Sequence, residues 1–317
     1  MNRQSLPPVL RWLVLGLGVV SGSLMTLQAR VNAALTGEIH DATLAATISF
    51  GGGFVLLGLL MLASRPSRQR FAATARSIRS GEFPWWLTIG GAAGAVYVFS
   101  QGQAVPSLGI ALFSVAYVSA QTFGSLGWDR IGVGPSGAHP FTGPRIGGAS
   151  LAVVAVLVTS FTAHSGAIAA SWLILLPVFS GLITSWQQAA NGRVRMQSQS
   201  VLATTFWNFT VGTTVLLVFL MIEHIGRPFP SSFPHEWWMY AGGPIGMLFI
   251  AMASVIVRFT GALVMSLTIT LGQLIAALLL APLTPSSPQA DLGTYLGTAI
   301  AVLAVAITAL PRRERRG

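Results

Sequence analysis

The chain has 317 residues, 53% of them hydrophobic and 8% charged, with a mean hydropathy of +0.69. A globular protein carries about 25% charged residues, so a soluble fold, a disordered chain and a disulfide scaffold are excluded and an all-α integral membrane protein remains. The net charge of +10 rests on 18 basic residues, all arginine; without lysine or cysteine there is no lysine-dependent phosphate loop, Schiff base, thiol nucleophile or iron–sulfur cluster.

A bilayer core needs about 20 apolar residues per helix. Ten segments qualify, at about 12–35, 44–63, 85–104, 108–128, 145–163, 170–191, 201–222, 237–257, 261–281 and 293–310. The first follows Arg3 and Arg11 as a signal peptide would, but it is too long, and a copy of it recurs inside the chain. Between the second and third lies an arginine-rich loop at 64–84 (Arg65, Arg68, Arg70, Arg76, Arg79), read as a topology anchor, with contact to anionic lipid as the alternative. Gly132-x-Gly134-x-x-Gly137 fits a dinucleotide pattern but has no strand before it. Pro177 and Pro244 predict kinks in the sixth and eighth spans. The sequon at Asn208-x-Thr210 falls inside the seventh span, and a zinc motif begun by His235-Glu236 fails at Met239. Neither a metal nor a cofactor is expected. Trp12, Trp85, Trp86, Trp128, Trp237 and Trp238 fall at span ends, where an aromatic belt forms.

Sixteen arginines occupy the tails and the even-numbered loops, against Arg227 alone in the odd-numbered ones; Arg30 lies within the first span. The positive-inside rule then places both termini in the cytoplasm and requires an even number of spans.

An internal repeat organises the ten spans. A shift of 159 aligns Ser21-Gly22 with Ser180-Gly181, Gln28 with Gln187, Asn32 with Asn191, Phe50 with Phe209 and Gly53 with Gly212. A shift of 152 aligns Trp85-Trp86 with Trp237-Trp238, Gly90 with Gly242, Gly94 with Gly246, Ser114 with Ser266 and Gln121 with Gln273. The chain divides into five-helix repeats over 1–163 and 164–317. Because five is odd, the second enters the membrane inverted, as in many alternating-access transporters.

The two Trp-Trp-x-x-x-Gly-Gly-x-x-Gly segments, the Gln-x-x-x-Asn pairs and the Gly…Gln of the fourth span resemble the YdcZ-type inner-membrane exporters, a family grouped with the drug/metabolite transporter superfamily. The resemblance spans nearly the whole chain and implies ten helices, a bacterial inner-membrane location and small-molecule export. Some relatives are single five-helix chains that pair. The family motif has an aspartate eight residues after the glutamine; Asp129 matches it and Ala281 departs.

Gln28 and Asn32 share one helix face by i, i+4 spacing, as do Gln187 and Asn191. An unpaired amide is costly in hydrocarbon, so each pair lines a cavity or gate, or else glues helices together. Inversion puts the two pairs at opposite depths, which suits two gates. Gln121 and Gln273, with Tyr97, Tyr117 and Asn208, lie nearer mid-span and form a candidate substrate ring, again with helix glue as the alternative. Ser114 and Gln101 extend these faces. Arg30 is either functional or snorkels to the headgroups. Gly90-x-x-x-Gly94 and Gly242-x-x-x-Gly246 permit close helix packing.

The expected function is that of a secondary transporter exporting a small polar or cationic organic molecule by alternating access. A channel or a structural membrane protein is the alternative. Carboxylates are too scattered for an intramembrane enzyme. The expected partners are a small-molecule substrate and the bilayer but no nucleic acid, and a homodimer is left open.

Overall fold

Capping chemistry sets where the apolar stretches start and stop. In the computed structural model, which describes residues 8–135, 137–138, 140–162, 171–283 and 292–308, every element is helical. The α-helices are α1 (Pro8–Ile39), α2 (Ala42–Ala63), α3 (Arg65–Arg79), α4 (Gly90–Leu108), α5 (Ile110–Ile131), α6 (Gly143–Thr162), α7 (Leu175–Ser198), α8 (Val201–Glu223), α9 (Gly242–Leu280) and α10 (Leu292–Thr308). Asp41 caps α2 by accepting from the Leu44 amide at 2.8 Å, and Ser200 caps α8 through the Ala203 amide. Gly109 separates α4 from α5 with φ of 79°, and Gly132 ends α5 in the left-handed conformation. That role accounts for the first glycine of the dinucleotide-like pattern.

Five helices among the described residues are long and apolar enough to cross a membrane: Trp12–Ile39, Ala42–Ala63, Ile110–Ile131, Trp172–Ser198 and Val201–Glu223. The predicted repeat boundary at 163/164, Arg3 and the C-terminal arginines lie outside the described residues.

Two expectations need correction. The arginine-rich loop is a helix, α3, because Pro66 suits a first helical turn and Phe71, Thr74 and Ile78 give it an inner face at helical spacing. Pro177 and Pro244 sit in the first turns of α7 and α9, where the missing amide has no intrahelical partner to lose, so neither forces a kink. Arg30, within the first span, has a partner in the protein. It donates to the Leu283 carbonyl at 2.6 Å, closing the turn that follows α9.

The two predicted spans at 237–257 and 261–281 correspond to a 3-10 turn at Trp237–Tyr240 followed by a single helical element, α9, of 39 residues. Its contacts with α1 nevertheless run in two senses. Gln28 meets Gly242 and Gly246, and Ser21 meets Phe249, so there the chains are antiparallel. Gly18 meets Thr268, Gly22 meets Ile269 and Thr26 meets Gln273, so there they are parallel. A straight helix of this length, about 60 Å, cannot do both. The chain therefore doubles back between 249 and 268.

α7 makes the same double contact with α4 and α5. It runs antiparallel to α4, with Gln187 against Gly90 and Gly94 and Ser180 bonded to Ser100. It runs parallel to α5, with Gly181 against Tyr117 and Ser185 against Gly124. Residues 110–120 of α5 are buried on every side and form the centre of the core. α6 and α10 pack as a pair along its flank.

Candidate functional site

The amides and the glycines form one motif. Gln28 Nε2 donates to the Gly242 carbonyl at 2.8 Å, and a methyl group on Gly246 would come within 2.6 Å of that same nitrogen. Asn32 Oδ1 and Ser49 Oγ both crowd the α-carbon of Gly242, where any side chain would overlap them. In the related place, a methyl group added to Gly94 would come within 3.0 Å of Gln187 Nε2, and one on Gly90 within 3.1 Å of Asn191 Oδ1. The glycines of the two Gly-x-x-x-Gly segments thus serve as floors for side-chain amides rather than only as helix-packing points.

The two clusters differ in how well they are satisfied. Asn208 donates to Asn191 Oδ1 at 2.8 Å and to the Thr204 carbonyl, and accepts from Gln187 Nε2 at 3.2 Å, which closes that network. The residue corresponding to Asn208 in the first cluster is Ser49, which is too short to do this. Asn32 Nδ2 donates to Gln101 Oε1 at 2.6 Å. Asn32 Oδ1, Thr36 Oγ1, Ser49 Oγ and Gln101 Nε2 are buried without hydrogen-bond partners. An unsatisfied buried polar group costs about 1–3 kcal/mol, so this cluster is the less well satisfied of the two. Exposure differs as well: Asn32 is 1% and Gln28 7% exposed, whereas Gln187, Asn191 and Gln121 are half-buried.

Tyr97 and Tyr117 pack with ring centroids 4.4 Å apart and their planes tilted by 34°. The Tyr117 hydroxyl accepts from Gln121 Nε2 at 2.9 Å and from Thr184 Oγ1 at 3.0 Å. Gln273 lies elsewhere, against α1, where its amide donates to Met25 Sδ at 3.2 Å. Tyr97, Tyr117 and Gln121 therefore stand together with Thr184, and Gln273 makes a separate contact. Ser114 is buried in the same half of α5.

A family described as "Putative inner membrane exporter, YdcZ" matches residues 13–158 and 172–308. The chain belongs to this family. None of the curated proteins matches it significantly. As a member of a YdcZ-type exporter family it is a membrane protein of transporter type, and the family is not one of enzymes.

Several polar residues are not conspicuous in the sequence. Thr36, Ser49 and Thr184 are ordinary hydroxyls in apolar helices, and only the repeat offset between Ser49 and Asn208 hinted at one of them. At the end of the bundle that includes the α1–α2 turn, a cleft of about 700 Å³ is lined by Asp41, Glu223, His224, Arg227, Trp172 and Phe229, among others. His224 Nε2 stands 3.2 Å from Asp41 Oδ2, and Phe229 stacks on the imidazole at 4.2 Å. Among the described residues no group of three or more His, Asp or Glu side chains is placed to hold a metal.

Proposed function

We propose that the protein is a secondary transporter that works by alternating access, built from two inverted five-helix repeats with ten spans and both termini in the cytoplasm. The observation that carries this reading is the reciprocity of the amide–glycine contacts. Gln28 on Gly246 and Gln187 on Gly94 are the same contact made by each repeat on the other, and so are Gly22 on Ile269 and Gly181 on Tyr117. Two equivalent halves that each clamp the other can exchange roles, and inverted repeats use that exchange to open one side while closing the other. The family match over two stretches of similar length supports the duplication.

In this reading Gln28 and Asn32 form one gate, and Gln187, Asn191 and Asn208 the other. The deep burial of Gln28 and Asn32 and the half-burial of Gln187 and Asn191, with Asn208 alone of the second set buried, support a state closed at the first gate. Tyr97, Tyr117 and Gln121 line the substrate path between them, and the unpaired group set at Asn32, Thr36, Ser49 and Gln101 receives a polar group of the substrate. This path leaves out Gln273, whose amide bonds Met25 on α1 instead. An uncharged path with two tyrosine faces suits a small polar or cationic organic molecule. The 700 Å³ cleft, with Arg227 in its wall, is the mouth on the side opposite the arginine-rich helix α3.

Reporter fusions after residues 40 and 80 are expected to lie outside and inside respectively; the same side for both would end the inverted-repeat reading. For the gates, single cysteines at Asn32 and Asn191 need no background removal, since the chain has no cysteine. In proteoliposomes screened with a panel of polar metabolites and organic cations, Asn191→Cys is expected to label readily and Asn32→Cys slowly. A transported compound should change the two rates in opposite directions. Rates that stay fixed while transport proceeds would leave the amides as helix glue.

A further inference from the structure

We propose that the groove between α2, α3 and α8 is a binding site for an anionic phospholipid. It has a volume of about 400 Å³ and is lined by Gly58, Met61, Leu62, Arg68, Phe71 and Phe206, within the roughly 300–1,000 Å³ of built ligand clefts. Its walls are apolar apart from Arg68, which stands where α3 leaves the end of α2 and donates to the Leu62 carbonyl. The other arginines of α3, Arg65, Arg70, Arg76 and Arg79, are all exposed. The acidic residue that follows α3, Glu82, is held at its far end by Ser77 at 3.2 Å. An apolar trough with a guanidinium at its rim, continued by a row of cations, complements an acyl chain joined to a phosphate headgroup. A zwitterionic headgroup gains less, because its ammonium meets the same arginines.

The groove is also placed to matter mechanically. Phe71 packs on Phe206 at 5.5 Å and on Trp207 at 4.7 Å, and Arg70 donates to the Gln199 carbonyl in the α7–α8 turn. Asn208, which ties Gln187 to Asn191, follows directly in the same helix. A lipid that holds α3 against α8 therefore steadies the helix that closes the second amide cluster. The corresponding segment of the other half, at 224–236, forms no α-helix, so this site has no twin.

The test uses the full chain in detergent micelles titrated with phosphatidylglycerol or phosphatidylcholine of identical acyl chains, with retained lipid counted by native mass spectrometry. It does not depend on any transport assay. Phosphatidylglycerol is expected to be retained at least about five-fold better, the scale of one arginine at a membrane surface. Arg68→Gln should remove that preference and Arg68→Lys should keep most of it. Gly58→Leu should lower retention of both lipids, because the space above Gly58 is open to Phe206 at 3.8 Å and the new side chain fills the trough without altering charge. Equal retention of the two lipids by the native chain would overturn the proposal. So would a native preference persisting in both Arg68→Gln and Gly58→Leu. If Arg68→Gln fails to fold, Gly58→Leu decides alone, and native retention there overturns the site.

Discussion

Replacing Gly22 by leucine is expected to abolish accumulation of the folded protein. A methyl group on Gly22 would overlap the Ile269 carbonyl oxygen, and one on Gly272 would overlap the Val19 carbonyl, so α1 and α9 approach backbone to backbone at both points. Overpacking a core typically costs about 1–3 kcal/mol when side chains can shift. Here the obstacle is main chain on both sides, and yielding means parting the helices that also hold Thr26 to Gln273 and Ser23 to Gly272. Gly51→Ala is the matched control, since nothing lies within 4 Å of the added carbon. Size-exclusion profiles and thermal unfolding of membrane-extracted protein measure both. A monodisperse Gly22→Leu variant melting with the native chain would mean that α1 and α9 do not pass this closely.

The second large effect is expected at Asn208. Asn208→Ser makes the second cluster resemble the first, in which serine occupies the equivalent place. It removes the bonds to Asn191 and Gln187 and leaves both amides without a partner. Interhelical hydrogen bonds in membranes are worth about 0.6 kcal/mol on average and up to about 1.7, so the loss of two should lower stability by about 1–3 kcal/mol. If the cluster is a gate, transport should fall about ten-fold or more, since 1.4 kcal/mol is a factor of ten in rate, and Asn191→Cys in this background should label faster. Reduced stability with native transport and unchanged labelling would assign Asn208 to helix cohesion alone.

Much of this architecture is legible in the sequence because hydrocarbon leaves the chain few choices. Apolar length gives α1, α2, α5, α7 and α8 to within several residues, and the i, i+4 amide pairs announce themselves because uncharged polar residues are conspicuous in such runs. What those amides touch is not legible. Nothing in the spacing of Gln28 says that its acceptor is the Gly242 carbonyl, or that Gly246 is bare to make room for it; a Gly-x-x-x-Gly segment looks the same whether it faces a backbone or an amide. Gln101 carries the bond to Asn32, yet its place in the repeat is taken by Ala253, so the symmetry that exposed the other positions hides this one. α3 was obscured for a different reason: five arginines swamp the signal of Phe71, Thr74 and Ile78, and helical period shows only when charge is set aside. The pairing of Asp41 with His224 joins two turns far apart in the chain and leaves no local trace.

The interlocking of the halves has a consequence for how the protein is made. The Gln28 amide waits for a carbonyl 214 residues downstream. At about 5–20 residues per second of synthesis that delay is about 10–40 s. For that interval α1 stands in the bilayer with Gln28 unmet and its glycine groove open, although Asn32 finds Gln101 once α4 has been made. The nascent first half is thus a sticky intermediate, able to pair with any passing helix that carries small residues. Two ribosomes working side by side offer such a helix in the neighbouring chain, which makes exchange of α9 between nascent chains the misassembly that slow translation would favour.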